Sequence, residues 1–403
     1  MGWRNYGCLA LLWSTASLLA AGLPSWQPVS QGAAPSPRYR ALMVTDTWRN
    51  SVVLYGGTSG AGWALTDTWT WDGVQWTFAT SDGPGVSDAA MAFDDRRGVV
   101  VLFGGTRDHY SDETWEFDGT RWQKVAGNRQ VCGIPDTSAP VGLTSAAMAF
   151  DPESQCVLLF GGRSQCYGMR QETWAWNGIA WALVSTSGPV RRVYPAMASD
   201  PIGHRVLLLG GSSDLPVAGG RYLLGDTWQW KGGTWSQLPD APARRSSHGI
   251  AFDSRLNCAI VFGGEEIPNG VAPQYNVPRR DTPALCSATW VPGTDCDGPA
   301  GRFGPSLAFD PVRQRIIMFG GQIPGPNYSS STVNQMYEFV ADAAPCTGDL
   351  NGDGFVDDSD FVLFADAYDA LYDPVGNFEM DNCNTDDRDF VIFARAYDAL
   401  LCP

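Results

Sequence analysis

Six short apolar runs, each closed by two glycines, punctuate the chain: VVLYGG, VVLFGG, VLLFGG, VLLLGG, AIVFGG and IIMFGG. The diglycines stand at Gly56-Gly57, Gly104-Gly105, Gly161-Gly162, Gly210-Gly211, Gly263-Gly264 and Gly320-Gly321, 48 to 57 residues apart. Runs with no polar alternation fit strands buried on both faces. Ahead of each lies a short strand and a tight turn, as in Ala90–Asp94 and Ala147–Asp151, where Asp supplies the turn chemistry. Behind each lies a variable loop, then a strand bearing Trp. A two-residue turn (Asp72-Gly73, Asp118-Gly119, Asn177-Gly178 or Lys231-Gly232) and a second Trp follow, giving the pairs Trp69/Trp76, Trp115/Trp122, Trp174/Trp181 and Trp228/Trp235.

Four strands per repeat and six repeats predict an all-β, six-bladed β-propeller whose Trp residues are mostly inter-blade core. Diglycine plus spaced aromatics closely resembles the kelch family over about residues 26–340. The last repeat has Tyr337-Glu338-Phe339 as its third strand and no fourth. Trp26-Gln27-Pro28-Val29 reads like the fourth strand Trp235–Leu238, so an N-terminal strand is expected to complete that sheet and remove its edge. The fifth repeat departs from the pattern: Trp290 reads as its third-strand Trp, with Asp297 where the partner Trp should stand.

A different pattern begins near Thr347. Asp349, Asn351, Asp353, Asp357 and Asp360 fall at positions 1, 3, 5, 9 and 12 of a twelve-residue loop, with Gly354 at the sharp turn and the Phe355 carbonyl at position 7. That spacing supplies the six to eight oxygens calcium takes. The helix expected next has Phe361, Phe364, Ala365 and Tyr368 on one face. DSDFVLFADAYDAL then repeats as DRDFVIFARAYDAL. Two loop-helix units resemble a type I dockerin, which implies a cohesin-like partner. The second loop keeps Asp386, Asp389 and Asn382 but has Phe378 and Met380 at positions 1 and 3, so it is a weak or empty site. The expected domains are therefore a signal segment 1–22, a propeller 23–343 and a small α-helical, dockerin-like calcium module 344–403.

Charge changes the picture in one respect. The net charge is −16, and from Ala341 onward fifteen Asp and Glu face two Arg, leaving about −3 for the rest. The acidity belongs to the tail, as a hard-cation site requires, and nothing is basic enough to hold nucleic acid. Arg4, the apolar run Cys8–Leu19 and the small residues Ala20-Ala21-Gly22 read as a secretory signal, too short to span a bilayer. The expectation is a secreted, extracellular protein with no membrane span after cleavage. Ten cysteines without a CxxC pair suit an oxidising compartment. Cys156 and Cys258, each opening an apolar strand, are expected as packed core thiols. Cys346 and Cys402 bracket the tail, with Cys383 a competitor, and Cys132 and Cys166 are expected to tie two loops together.

The loop after strand two and the loop entering strand one open on one face of such a blade. Each post-diglycine loop carries an aromatic, Trp63, Tyr110, Tyr167, Tyr222, Tyr275 or Tyr328, with Arg107, Arg163, Arg170 and Arg221 nearby. This is the expected face for a glycan or protein ligand. The competing reading is an extracellular carbohydrate-active enzyme, for polysaccharide degradation or sugar modification. Glu265, Glu266 and Arg163, directly behind diglycines, are its only and weak catalytic candidates, since adjacent side chains on an extended segment point apart. Copper chemistry of the galactose-oxidase kind needs convergent His and Tyr, and His109, His204 and His248 fall in separate places. A display or scaffold role would use the calcium tail as an anchor.

Overall fold

The structure, a computed structural model, describes residues 25–127, 138–215, 223–266, 277–293, 298–324 and 330–341. The chain divides into two compact units, and the described residues, apart from Ser25 and Ala341, belong to the one running from Trp26 to Val340. The expected calcium loops, tail helices and signal segment fall on residues outside the described ones.

Among the described residues there is no helix, and the strands form six four-stranded antiparallel sheets with three smaller ones. The first sheet shows the common plan: Leu42–Asp46, Ser51–Tyr55, Thr68–Trp71 and Trp76–Thr80 pair in sequence order. The next four sheets begin at Ala90–Asp94, Ala147–Asp151, Ala196–Asp200 and Gly249–Asp253. The sixth takes Ser306–Asp310, Arg315–Phe319 and Met336–Val340 from the end of the unit, and its outer strand is Ser25–Pro28 from the beginning. The first strand of each sheet lies against the first strand of the next, and Ser306–Asp310 lies against Leu42–Asp46. This arrangement is compatible with a β-propeller.

Strand two is buried along its length because it is covered on both faces, as its unbroken apolar sequence requires. At its end both glycines have positive φ, 60° and 94° at Gly56 and Gly57. A Cβ on Gly57 would stand 2.9 Å from the Ala41 backbone, so the chain leaves the sheet where no side chain fits.

The fourth-strand tryptophans weld each sheet to its predecessor. Trp122 packs on Tyr55 at 5.0 Å between ring centroids and donates its indole N–H to Thr68 at 2.8 Å. Trp181 repeats this with Phe103 and Thr114, and Trp235 with Phe160 and Thr173. Trp26 does the same with Phe262 and Thr282. The strand at the chain's beginning therefore works as a fourth strand in packing as well as in pairing. At the opposite end, the turn after strand one reaches the hairpin of the following sheet. Arg49 bonds to the Asp118 carbonyl, Glu153 accepts from the Gly232 N–H, and Arg313 of the sixth sheet bonds to Gly73 of the first.

The fifth sheet corrects two expectations. Trp290 lies on its fourth strand, Thr289–Val291, opposite Leu285, and the third strand is Ala284–Cys286. The two-residue hairpin between them is Ser287-Ala288, both with positive φ, which no glycine signal announced. Cys258 is not a free core thiol: it is bridged to Cys286, directly across the strand pair with Cα atoms 4.3 Å apart. Cys156 is a free thiol, partly exposed, and burial pushes its pKa up. Cys166 is disulfide-bonded, and its expected partner Cys132 lies outside the described residues.

Candidate functional site

Each first strand is entered through a residue with left-handed backbone: Arg40, Asp88, Ser145, Tyr194, Ser247 and Gly304, with φ between 51° and 57°. These residues hydrogen-bond to one another from sheet to sheet. The N–H of Arg40 donates to Gly304, Gly304 to Ser247, Ser247 to Tyr194, Tyr194 to Ser145 and Ser145 to Asp88, at 2.8–3.3 Å. Left-handed conformation costs a residue with a Cβ roughly 1–2 kcal/mol. Five of the six positions carry a side chain nonetheless.

Arg40 spans the interior of this ring. Its Nη1 approaches Asp88 Oδ1 at 3.3 Å and Tyr194 Oη at 3.2 Å, and its Nη2 approaches Ser247 Oγ at 3.4 Å. The guanidinium carbon lies 4.2 Å from the centre of the Tyr194 ring, a cation–π geometry. Its Nε is buried without an acceptor among the described residues. Burial works against the Arg40 charge, but Asp88, Tyr194, Tyr39 and Glu265 outweigh it and raise the pKa. The side chains of Arg40 and Asp88 are 30% and 20% exposed, so the centre is open to solvent.

A second layer surrounds this floor. The residue before each ring position bridges to the residue behind a diglycine: Tyr39 to Thr58, Ser87 to Thr106, Val193 to Ser212, Ser246 to Glu265 and Phe303 to Gln322, with Thr144 opposite Arg163. The rim therefore carries Arg163, exposed, and Glu265, which accepts from Ser246 Oγ at 2.5 Å. Thr144 Oγ1 links the layers, lying 3.0 Å from Thr106 Oγ1 and 3.5 Å from Ser145 Oγ.

The expected site residues fall around this end in part. Trp63 is 74% exposed on the loop after Gly57. Tyr110 and Tyr167 are partly buried, and Tyr167 faces Arg170 at 5.8 Å. Tyr222, Tyr275, Tyr328 and Arg221 lie outside the described residues. Glu265 and Glu266 are not brought together: one bonds to Ser246 and the other pairs with Arg279. His204 sits in the turn between the first two strands of the fourth sheet, and His248 is buried before the fifth.

Arg40, Asp88, Tyr194 and Ser247 were missed as site residues. Their signal is present once the repeats are aligned, since each stands at the same step before strand one, two residues after Arg38, Val86, Arg192 or Arg245. Those arginines are structural. Arg38 and Arg192 are fully buried, grip both oxygens of Asp67 and Asp226 at 2.7 Å, and bond to the diglycine carbonyls of Gly56 and Gly210.

Set against known proteins, the chain matches no family model and no curated sequence.

Proposed function

We propose that the protein is a secreted binding protein: a six-bladed, kelch-type β-propeller that takes a glycan or protein ligand on its loop face. The observation that carries this reading is the Arg40 centre, a polar, solvent-open floor inside the hydrogen-bonded ring, at the end of the sheets where Trp63 projects. Arg40 is held only by contacts of 3.2–3.4 Å and is partly exposed, unlike the fully buried Arg38 and Arg192 with their 2.7 Å carboxylate pairs. The exposed indole of Trp63, on the loop behind Gly57, offers a flat apolar face of the kind sugars and peptides use. The catalytic reading has less support, since Glu265 and Glu266 are held by different partners.

The tail, residues 344–403, we read as a dockerin-like module that binds calcium through Asp349, Asn351, Asp353, the Phe355 carbonyl, Asp357 and Asp360. The donor chemistry supports it, hard oxygens alternating along a loop with glycine at its turn. In this reading the tail attaches the propeller to a cohesin-like or cell-surface partner.

A glycan and peptide array probed with the full chain tests the binding face. Trp63→Ala should weaken the ligand found by about tenfold while the far-UV spectrum stays unchanged. Binding that survives Trp63→Ala and also Arg40→Gln would remove this face from the reading.

A further inference from the structure

We infer that the Arg40 centre receives the carboxylate of an acidic sugar residue, a hexuronate-type unit; this rests on the glycan-binding reading above. The arginines that hold the fold, Arg38, Arg192, Arg245 and Arg302, are all fully buried, whereas the Arg40 side chain is 30% exposed. Arg38 and Arg192 are each closed by two carboxylate oxygens at 2.7 Å. Arg40 is held differently. Its three contacts run from 3.2 to 3.4 Å, beyond the 2.7–2.9 Å of a charge-assisted bond. The buried Nε cannot reach a ligand, but the two Nη groups carry four N–H bonds and meet only these long contacts, so donor capacity remains at the exposed end of the side chain. A ligand carboxylate is the group whose two oxygens match this planar fork.

The surroundings select the rest of the ligand. Asp88 offsets the Arg40 charge, so the floor has no excess charge to draw a phosphate or sulfate, and a single carboxylate would enter by taking the place of Asp88 on the guanidinium. Ser247 offers a hydroxyl at the cation, and Asp88, once displaced, offers an acceptor for ligand hydroxyls. Arg163 at the rim is exposed and adds attraction for an approaching anion. A carboxylate flanked by several hydroxyls answers this set.

Asp88 gives the inference a signature. It competes with an incoming carboxylate for the same Nη1, so removing its charge should strengthen binding, the reverse of what a structural ion pair would do. The experiment is calorimetry on the full chain with galacturonate and glucuronate oligomers, each as the free acid and as the methyl ester. The free acid of one series should bind and its ester should bind at least tenfold more weakly. Asp88→Asn should tighten the acid severalfold, Arg40→Gln should weaken it at least tenfold, and Arg40→Lys should fall between. Melting curves of each variant separate lost binding from lost folding. Equal binding of acid and ester, no binding of either acid at millimolar concentration, or weaker binding by folded Asp88→Asn would overturn the inference. Retained binding of neutral glycans in those cases would leave the glycan reading standing.

Discussion

Buried polar residues set the terms at the scale of single side chains. His248 is enclosed, neither ring nitrogen has a hydrogen-bond partner among the described residues, and burial with Arg245 nearby pushes its pKa down to about 3. The folded state therefore keeps this ring neutral, while the unfolded chain protonates it near its ordinary value of 6.5. A depressed folded value means the contribution is complete above pH 6.5 and is lost as pH falls toward 3. Between pH 6.5 and 4.5 the loss should approach about 2 kcal/mol. Denaturant melts at the two pH values should show it, and His248→Phe should flatten the difference. Asp67 acts lower: burial raises its pKa, but the Arg38 bonds outweigh that and hold it below the usual carboxylate range. The Asp67 share of stability is lost only below about pH 4, outside that window. A variant as pH-sensitive as the parent would show that His248 finds a partner in solution. None of this was legible in the sequence. A lone His before an apolar strand carries no mark of burial. Arg38 and Arg192 sit in loops, where charge ordinarily means exposure.

At the scale of strands the hydrophobic pattern was legible wherever repeats kept their punctuation. Diglycines marked every strand two, Asp-Gly and Asn-Gly marked outer hairpins, and Trp26-Gln27-Pro28-Val29, with a last repeat short of its fourth strand, marked the displaced strand. The fifth repeat failed because its outer hairpin turns on Ser287-Ala288 and its strand-three aromatic is replaced by Leu285. With neither glycine nor paired Trp to read, the pattern slipped by one strand. The same comparison predicts relative energies. Trp26 is buried against Phe262 and Phe339, and its N–H is satisfied. Trp26→Ala should cost about 3–5 kcal/mol, close to Trp122→Ala. Trp290 is only partly buried, and the strand-two residue it would meet in the fourth sheet is Leu209 rather than an aromatic, so Trp290→Ala should cost less. Chemical denaturation of the three variants ranks them. Equal losses at Trp26 and Trp290 would mean that the edge strand contributes no more than the irregular sheet.

The sheets and the acidic tail should differ in their dependence on metal. The sheets bury continuous apolar strands and lock them through indole–threonine bonds, interactions that need no cation. In the acidic tail four carboxylates, Asp349, Asp353, Asp357 and Asp360, stand within twelve residues and repel one another until a cation sits among them. In the reading proposed above, calcium supplies that cation. Extracellular calcium modules have dissociation constants of roughly 10⁻⁴ to 10⁻³ M. Binding to the folded form alone adds RT ln(1 + [Ca]/Kd), about 1.4 kcal/mol at tenfold excess. Differential scanning calorimetry of the full chain should then give two transitions. One should rise with calcium and vanish into the baseline with a chelator, and the other, from the sheets, should stay fixed. Isothermal titration should find a single site, lost in Asp349→Ala and Asp360→Ala. Asp386→Ala should matter little, because Phe378 and Met380 already leave the second loop without ligands at positions 1 and 3. Two equal sites would show that the second loop recruits donors the spacing does not reveal. A chelator-insensitive pair of transitions would sink the calcium reading itself.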